Sequence, residues 1–304
     1  MILSVSRRTD IPAFYSKWFI NRLNEGFVCV RNPFNFHAVS KIFLNKDVVD
    51  CIVFWTKDAT NFINYLPKIN DMGYKYYFQY TITPYDKTIE PNLRDKNLII
   101  ENFKHLSNQI GKEKVIWRYD PILLTEKIDI NWHVRKFEEM CKKLAEFTDV
   151  VIISFLDVYK KLDKSKIRSL TFEEMASIAK EFKKIATKFN LILKTCSEDI
   201  SESLNLKKAS CIDKQLIEQI CGYSLNVRKD KNQRSECLCA ESVDIGEYDT
   251  CNHQCLYCYA NNNRKNIQTK LQKHNHNSPL LIGEITNDDK ITERKISSLK
   301  NLYI

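Results

Sequence analysis

The sequence predicts an α/β fold in which parallel strands alternate with helices in a TIM-barrel-like parallel barrel, partial or complete. Three observations lead to this prediction. Six short apolar segments are each followed by a helical segment, and the apolar segments contain almost no polar residues. Strands of this composition are typical of parallel sheets that helices cover on both faces. The six units occupy residues 1–222, a length that suits a barrel or a partial barrel.

Each strand is predicted from a run of consecutive apolar residues that is too short for a helix. Polar or glycine-containing stretches separate these runs from the helical segments. The predicted strands cover residues 2–5, 49–55, 74–82, 115–119, 150–155 and 191–195.

The helices are predicted from apolar residues at helical spacing, together with their start and stop residues. Pro12 begins the first helix and Gly26 ends it, while Asp58 caps a second helix that runs to residue 73. Thr171 and Glu174 form a predicted capping box for a helix to about residue 189. Further helices are predicted over about residues 96–110, 130–147 and 213–221.

Beyond residue 222 the composition changes, and we predict a second segment there. This segment covers residues 223–304, and its residues 223–280 are polar and carry five of the eleven cysteines. We expect this Cys-rich C-terminal segment to complete the mouth of a barrel core formed by residues 1–222. The six glycines of the chain cannot supply a dinucleotide-binding or P-loop fingerprint.

No export or membrane segment is predicted. No apolar run approaches the roughly 18 residues of a membrane span, and the Ser6-Arg7-Arg8 sequence is followed by polar residues. We therefore expect a cytoplasmic protein whose clustered cysteines bind metal or do chemistry. The net charge of +9 fits either a solvated surface or a nucleic acid partner.

Polar residues follow every predicted strand, and in a parallel barrel these strand ends share one mouth. Arg7, Arg8, Thr9 and Asp10 follow the first strand. Polar residues also follow at 56–58, 81–84, 157–160 and 194–198. Arg118 and Asp120, at the end of the fourth strand, are candidate catalytic residues, and a structural ion pair is the alternative.

Cys251, Cys255 and Cys258 form a C-x-x-x-C-x-x-C motif in a polar stretch. Three thiolates so close in sequence can each bind one iron of a 4Fe–4S cubane, which leaves the fourth iron without a protein ligand. A zinc site that includes His253 or another residue is the alternative.

The sequence YDTCNHQCLYCYAN at residues 248–261 resembles the cluster loop of photolyase-like radical S-adenosylmethionine (SAM) proteins, relatives of spore photoproduct lyase. WRYDPI at residues 117–122 resembles their Arg-x-Asp-Pro segment. With residues 4–12, 54–57 and 229–234, the chain is similar nearly end to end to a bacterial family called domain of unknown function 1848. This resemblance implies a radical-SAM-like fold and an iron–sulfur cluster, but no substrate.

The sequence departs from ordinary radical SAM enzymes in two ways, and the first of them suggests circular permutation. The cysteine motif lies near the C-terminus, and the Gly-Gly-Glu segment that holds the SAM amine is missing. A strand near residues 242–247 would then lie beside residues 2–5. Thr9 and Asp10 would accept hydrogen bonds from the SAM ammonium, and Arg7 or Arg8 would pair with the SAM carboxylate or an anionic substrate. Alternatively, Asp10 caps the first helix.

The remaining cysteines fall into two sets. Four of them are candidate ligands of a second 4Fe–4S cluster or a zinc site, with unrelated free thiols as the alternative: Cys196, Cys211, Cys237 and Cys239. The other four have apolar neighbours and are expected in the core: Cys29, Cys51, Cys141 and Cys221.

The function expected from these observations is that of a radical SAM enzyme that abstracts hydrogen from an unknown substrate. Its partner would be a small flavodoxin- or ferredoxin-like electron donor, and no membrane is involved. One alternative is a non-catalytic iron–sulfur or zinc module that binds nucleic acid, and another is an electron-transfer protein.

Overall fold

The computed structural model of the chain describes residues 1–157, 167–196, 200 and 204–301. In chain order its strands are β1 (Ile2–Val5), β2 (Phe27–Asn32), β3 (Asn35–Phe43), β4 (Cys51–Thr56), β5 (Tyr76–Thr81), β6 (Val115–Ile122), β7 (Val150–Phe155), β8 (Ile192–Thr195), β9 (Lys207–Lys208), β10 (Val243–Asp244) and β11 (Lys290–Glu293). Its helices are α1 (Ile11–Phe14), α2 (Ser16–Glu25), α3 (Leu66–Asp71), α4 (Lys96–Ile110), α5 (Ile130–Leu144), α6 (Phe172–Lys188), α7 (Lys214–Cys221) and α8 (Arg264–Gln272). Short 3-10 helices cover Ile63–Tyr65, Lys112–Lys114 and Ala145–Phe147.

Eight strands form one parallel sheet in the order β10-β1-β4-β5-β6-β7-β8-β9. The prediction of an α/β fold with a parallel sheet is confirmed. A closed barrel is not seen, because no pairing between described residues joins β9 to β10.

At one edge of this sheet, a strand from the start of the chain pairs with a strand from its C-terminal part. β10 pairs in parallel with β1, with Leu3 opposite Val243 and Ser4 opposite Asp244. The strand predicted near residues 242–247 therefore exists and lies beside β1, as predicted. β4 pairs with the other side of β1.

Both faces of the sheet are buried, which explains the apolar strands. Leu3, Val5 and Phe54 belong to the larger apolar core together with helical residues. Ile2 and Val53, on the alternate face, pack with residues of α7 and of the stretch 209–240. The stretch that contains Cys211, Cys237 and Cys239 therefore covers the second face of the sheet.

Two of the predicted helices differ from the structure. The first is interrupted at Tyr15, which has φ −130° and ψ 24°. The buried Tyr15 hydroxyl donates to the carbonyl oxygen of Thr250 at 2.7 Å, and this long-range contact outweighs local helix propensity.

The helix expected to start at Asp58 instead begins at Leu66, immediately before Pro67. A proline is tolerated only in the first turn of a helix, so Pro67 sets the start. Asp58 pairs with Arg94 instead of capping a helix. The capping box of Thr171 and Glu174 is present.

A second sheet was not predicted. β2 and β3 form an antiparallel hairpin, and β11 pairs in parallel with β3. The residues at the hairpin end are largely exposed, and Phe34 is 98% exposed. The sequence there lacks the Asn-Gly or Asp-Gly turn that indicates a hairpin.

In the stretches of chain that the structure describes, no helix has the length and apolar character needed to cross a membrane.

Candidate active site

The carboxyl ends of the parallel strands surround a cavity of about 320 Å³. Its wall contains residues that follow β1, β4, β6, β7 and β8, together with residues from 233–239 and 251–261. Residues 158–160 and 197–198, which were expected at the same mouth, lie outside the described residues. All thirteen predicted site residues line this one cavity: Arg7, Arg8, Thr9, Asp10, Arg118, Asp120, Cys196, Cys211, Cys237, Cys239, Cys251, Cys255 and Cys258.

The loop that carries Cys251, Cys255 and Cys258 follows β10. It is fixed by backbone contacts, among them Leu256 N–H to the Ile89 carbonyl at 3.0 Å. Burial raises the pKa of Cys251 well above the ordinary thiol value, and it raises the pKa of Cys255 to about 12. These thiols therefore ionise only beside a strong positive charge such as a bound metal, which fits a ligand role.

Glu90 anchors the same loop. The Tyr257 hydroxyl donates to the buried Glu90 carboxylate, which also accepts from Lys57 Nζ at 2.8 Å and Thr83 Oγ1 at 2.9 Å. Lys96 pairs with the other carboxylate oxygen. Burial disfavours the charged carboxylate, but Lys57 and Lys96 outweigh it and lower the pKa of Glu90 to about 2.

Asp10 caps α1, which was predicted as the alternative to a role in binding the SAM ammonium. Asp10 Oδ1 accepts from the Ala13 N–H at 3.0 Å. Oδ2 accepts from the Lys57 N–H at 2.7 Å and lies 2.9 Å from His253 Nε2. Both carboxylate oxygens are thus engaged by the protein, so Asp10 holds the first helix, the end of β4 and the cysteine loop together.

Two polar atoms in the wall of the cavity lack protein partners. Thr9 Oγ1 and His253 Nδ1 are buried and form no hydrogen bond with any described residue. Thr9 and His253 are only 5% and 4% exposed. Buried polar atoms are almost always satisfied in proteins, so these two atoms are candidate contacts for a ligand.

Asp244 joins the loops that follow β1 and β10. Its carboxylate accepts from Ser4 Oγ at 2.8 Å, Ser6 Oγ at 2.7 Å and the Arg7 N–H at 2.8 Å. The Gly246 N–H donates to it at 3.0 Å. A Cβ atom at Gly246 would overlap Ser6 Oγ, so the two loops pack too closely for a side chain there.

The guanidinium groups of Arg7 and Arg8 both have protein partners. Arg7 Nη2 donates to Ser242 Oγ at 3.0 Å. The Arg8 guanidinium carbon lies 5.1 Å from the centre of the Tyr248 ring. These contacts fix two positive charges at the cavity wall beside Thr9.

Arg118 and Asp120 form the ion pair that was the alternative to a catalytic role. Arg118 Nε donates to Asp120 Oδ2 at 3.1 Å, and Ser154 donates to the other carboxylate oxygen. Burial opposes ionisation of Asp120, but Arg118 outweighs it and lowers the pKa of this carboxyl. Arg118 is itself buried. Its guanidinium carbon lies 5.5 Å from the centre of the Trp55 ring, and its Nη1 lies 2.7 Å from Cys211 Sγ.

The cysteines of the second set lie next to one another. The sulfurs of Cys196 and Cys211 are 3.4 Å apart. Cys211 also contacts Cys239, which contacts Cys237. Among the other four, Cys29, Cys51 and Cys141 are buried in the core as predicted, and Cys221 is half-buried. Among the described residues, no three His, Cys, Asp or Glu side chains are placed so that they could hold one metal ion.

A family model described as "Domain of unknown function (DUF1848)" matches residues 2–260 of the chain. The chain belongs to this family. The match ends two residues beyond Cys258 and so includes every predicted site residue, while α8 and β11 lie outside it.

Other comparisons add little to the family assignment. No protein with a curated description matches the chain. Among solved structures, the crystal structure of a putative alpha-L-fucosidase from Bacteroides thetaiotaomicron is similar at 12% identity. That match covers 74% of this chain and 84% of the other with a TM-score of 0.26, which supports no statement about function.

In this member of the family, sequence reasoning missed Glu90 and the contact between His253 and Asp10. Glu90 stands between Ile89 and Pro91 and follows no predicted strand, so no pattern marked it. His253 was considered only as a zinc ligand. Its proximity to Asp10 depends on the pairing of β10 with β1, which the sequence indicated only through the predicted permutation.

Proposed function

We propose that the protein is a radical SAM-type enzyme with a 4Fe–4S cluster on Cys251, Cys255 and Cys258. One observation carries this proposal. The three cysteines lie on a loop that directly follows a strand of a parallel sheet, and all three line the cavity at the carboxyl ends of that sheet. When bound, such a cluster supplies the electron that cleaves SAM to a 5′-deoxyadenosyl radical, which abstracts hydrogen from a substrate.

The order of the strands supports the permuted form of the radical SAM barrel. β10 precedes the cysteine loop and lies beside β1, although about 240 residues separate them in the chain. In this arrangement, the loop of residues 6–10 takes the place of the missing Gly-Gly-Glu segment.

The residues of that loop then have distinct roles toward SAM. Thr9 Oγ1, which is buried and unpartnered among the described residues, is the acceptor we assign to the SAM ammonium. Asp10 adds negative charge nearby but is a positioning residue, since its oxygens are engaged by Ala13, Lys57 and His253. Arg7 and Arg8 supply the positive charge for the SAM carboxylate or for an anionic substrate.

Arg118 and Asp120 lie in the wall of the same cavity, and we assign them to the substrate side of the site. Asp120 keeps a partly exposed side chain, 22% accessible, and so can accept a hydrogen bond from a substrate. We expect a small flavodoxin- or ferredoxin-like protein to deliver the electron.

The test is anaerobic reconstitution with iron and sulfide, followed by incubation with SAM and a strong reductant. We expect 5′-deoxyadenosine from the parent protein and none from Cys251→Ala, Cys255→Ala or Cys258→Ala. Cys29→Ala, which removes a core thiol outside the cavity, is the matched control and should retain the activity.

Two results would overturn the proposal. One equivalent of zinc with no iron after anaerobic reconstitution would indicate a zinc site. A stable cluster that produces no 5′-deoxyadenosine from SAM would leave an iron–sulfur protein that binds nucleic acid or transfers electrons.

A further inference from the structure

Four thiols that the proposed function does not use meet at the wall of the cavity. Cys196 follows β8, Cys211 follows β9, and Cys237 and Cys239 lie between α7 and β10. Three separate parts of the chain therefore deliver cysteines to one place. Apolar packing alone does not explain why four sulfurs lie together, because other small apolar side chains would fill the same space.

Hydrogen-bond donors converge on these sulfurs. Arg118 Nη1 lies 2.7 Å from Cys211 Sγ. The backbone N–H groups of Cys211 and Ile212 donate to Cys239 Sγ at 3.2 and 3.5 Å. A neutral thiol is a weak acceptor, whereas metal-bound thiolates commonly accept such bonds.

If the four thiols ionise, their charge balance requires a further cation. Four thiolates in mutual contact repel one another strongly when they are removed from water. Arg118 supplies a single positive charge and shares it with Asp120. Only a multivalent cation bound to the sulfurs themselves neutralises such a set.

The local chain has little regular secondary structure to support it. Between residues 223 and 242 the structure contains no helix and no strand of either sheet, only isolated bridges such as Lys229 with Ala240. Cys237 and Cys239 are nevertheless buried, at 7% and 3% exposure. In short irregular segments of this kind, metal coordination supplies folding free energy.

We infer that Cys196, Cys211, Cys237 and Cys239 bind a second metal centre through four thiolates, separate from the cluster on the C-x-x-x-C-x-x-C loop. The spacing favours a single zinc ion, whose bonds of about 2.3 Å hold the sulfurs of a tetrahedron about 3.8 Å apart. The Cys196–Cys211 separation of 3.4 Å is close to this value. Because no three of these thiols are placed around a common ion in the described structure, coordination requires rotation of cysteine side chains.

The test uses a full-length variant that lacks the first motif, Cys251→Ala/Cys255→Ala/Cys258→Ala. Samples are incubated anaerobically with Zn²⁺ or with Fe²⁺ and sulfide, desalted and analysed for metal. We expect retention of about one zinc per chain, or about four irons with sulfide if a cluster forms on the same thiols. Addition of Cys237→Ala and Cys239→Ala should lower retained metal at least fivefold, whereas addition of Cys29→Ala and Cys141→Ala should not.

A second measurement covers the case in which the variant with five substitutions does not fold. In the metal-loaded variant with three substitutions, the four thiols should resist iodoacetamide until a chelator is added, while Cys29 and Cys141 should react equally with and without chelator. Retention of less than a tenth of an equivalent of either metal, or labelling that the chelator does not change, would overturn the inference. Neither result depends on SAM cleavage, because the variant has no first motif.

Discussion

At the scale of single residues, Asp10 shows how one carboxylate can hold three parts of the chain. Oδ1 caps α1 through Ala13, and Oδ2 accepts from the Lys57 N–H while it contacts His253. An asparagine could keep the cap, but its NH2 group would then face the Lys57 N–H, and two donors would meet. The side chain is 6% exposed, so water cannot relieve this conflict.

Asp10→Asn should therefore lower the free energy of unfolding by about 2 kcal/mol, which is more than an ordinary cap loses. Asp129→Asn is the matched control, because Asp129 caps α5 with one hydrogen bond from Trp132 N–H at an exposed position. Urea denaturation of both variants measures the difference. Equal, small losses would mean that the Lys57 contact contributes nothing.

His133 should make stability depend on pH. The imidazole is fully buried between the Tyr119 hydroxyl and the Leu123 carbonyl, each at 2.8 Å, and burial lowers its pKa from 6.5 to about 4. The unfolded chain therefore binds a proton that the folded protein does not. Above pH 6.5 the histidine is neutral in both states and the free energy of unfolding is unaffected. As pH falls from 6.5 toward 4, protonation of the unfolded chain lowers the free energy of unfolding by up to about 3 kcal/mol.

Urea unfolding midpoints measured between pH 7 and 4.5 test this dependence. His133→Gln should make the profile shallower in this range, because it removes one of the two histidines whose pKa burial lowers; His274 is the other. The stability that the lowered pKa of the buried Glu90 provides is lost only as pH falls from about 4.5 toward 2, below this range. A parent profile that stays flat between pH 6.5 and 4.5 would contradict the assignment.

At the scale of elements, the loops after β1 and β10 are packed directly against each other. Gly246→Ala should cost about 2–3 kcal/mol, because its Cβ would overlap Ser6. Ser6→Gly in the same chain should restore part of this loss. Gly26→Ala is the control: Gly26 has φ +77° and open space around it, so its loss of about 1 kcal/mol should not respond to Ser6→Gly.

The measurement is thermal or urea unfolding of Gly246→Ala and of Gly26→Ala, each with and without Ser6→Gly. If Ser6→Gly affects both alanine variants equally, the contact between the loops is not the cause of the loss.

The elements also show where sequence patterns suffice. β1, β7 and α4 lie where the runs of apolar residues and the caps predicted them. β9 and β10 have two residues each, too few for any periodicity, and β10 was predicted only from the order of strands that the permutation implies. In the hairpin of β2 and β3, half-exposed strands and an irregular turn obscured the alternation that predicts a hairpin.

At the scale of the whole molecule, the position of the site followed from topology. Parallel strands bring their carboxyl ends to one edge, so Thr9, Arg118 and Cys196 were expected together and line one cavity. The specific pairs could not be predicted. Tyr257 and Glu90 are 167 residues apart and His253 and Asp10 are 243 apart, and no local pattern encodes such contacts.

The same topology predicts an order of stability across the molecule. Amides of β4 and β5 lie in the middle of the sheet with both faces buried, and they should exchange with solvent slowest. All four residues of β11 are exposed, so it should exchange at least a hundredfold faster. Hydrogen–deuterium exchange followed by mass spectrometry measures both, and equal protection of β11 and β5 would contradict the prediction.

The pairing of β1 with β10 has a consequence for synthesis on the ribosome. At about 5–20 residues per second, the partner of the first strand is translated roughly 10–50 s after it. Until then the nascent chain exposes one edge of its sheet and has neither the cysteine loop nor the second wall of the cavity. Under the proposed function, the cluster can therefore be loaded only after the chain has been translated past Cys258.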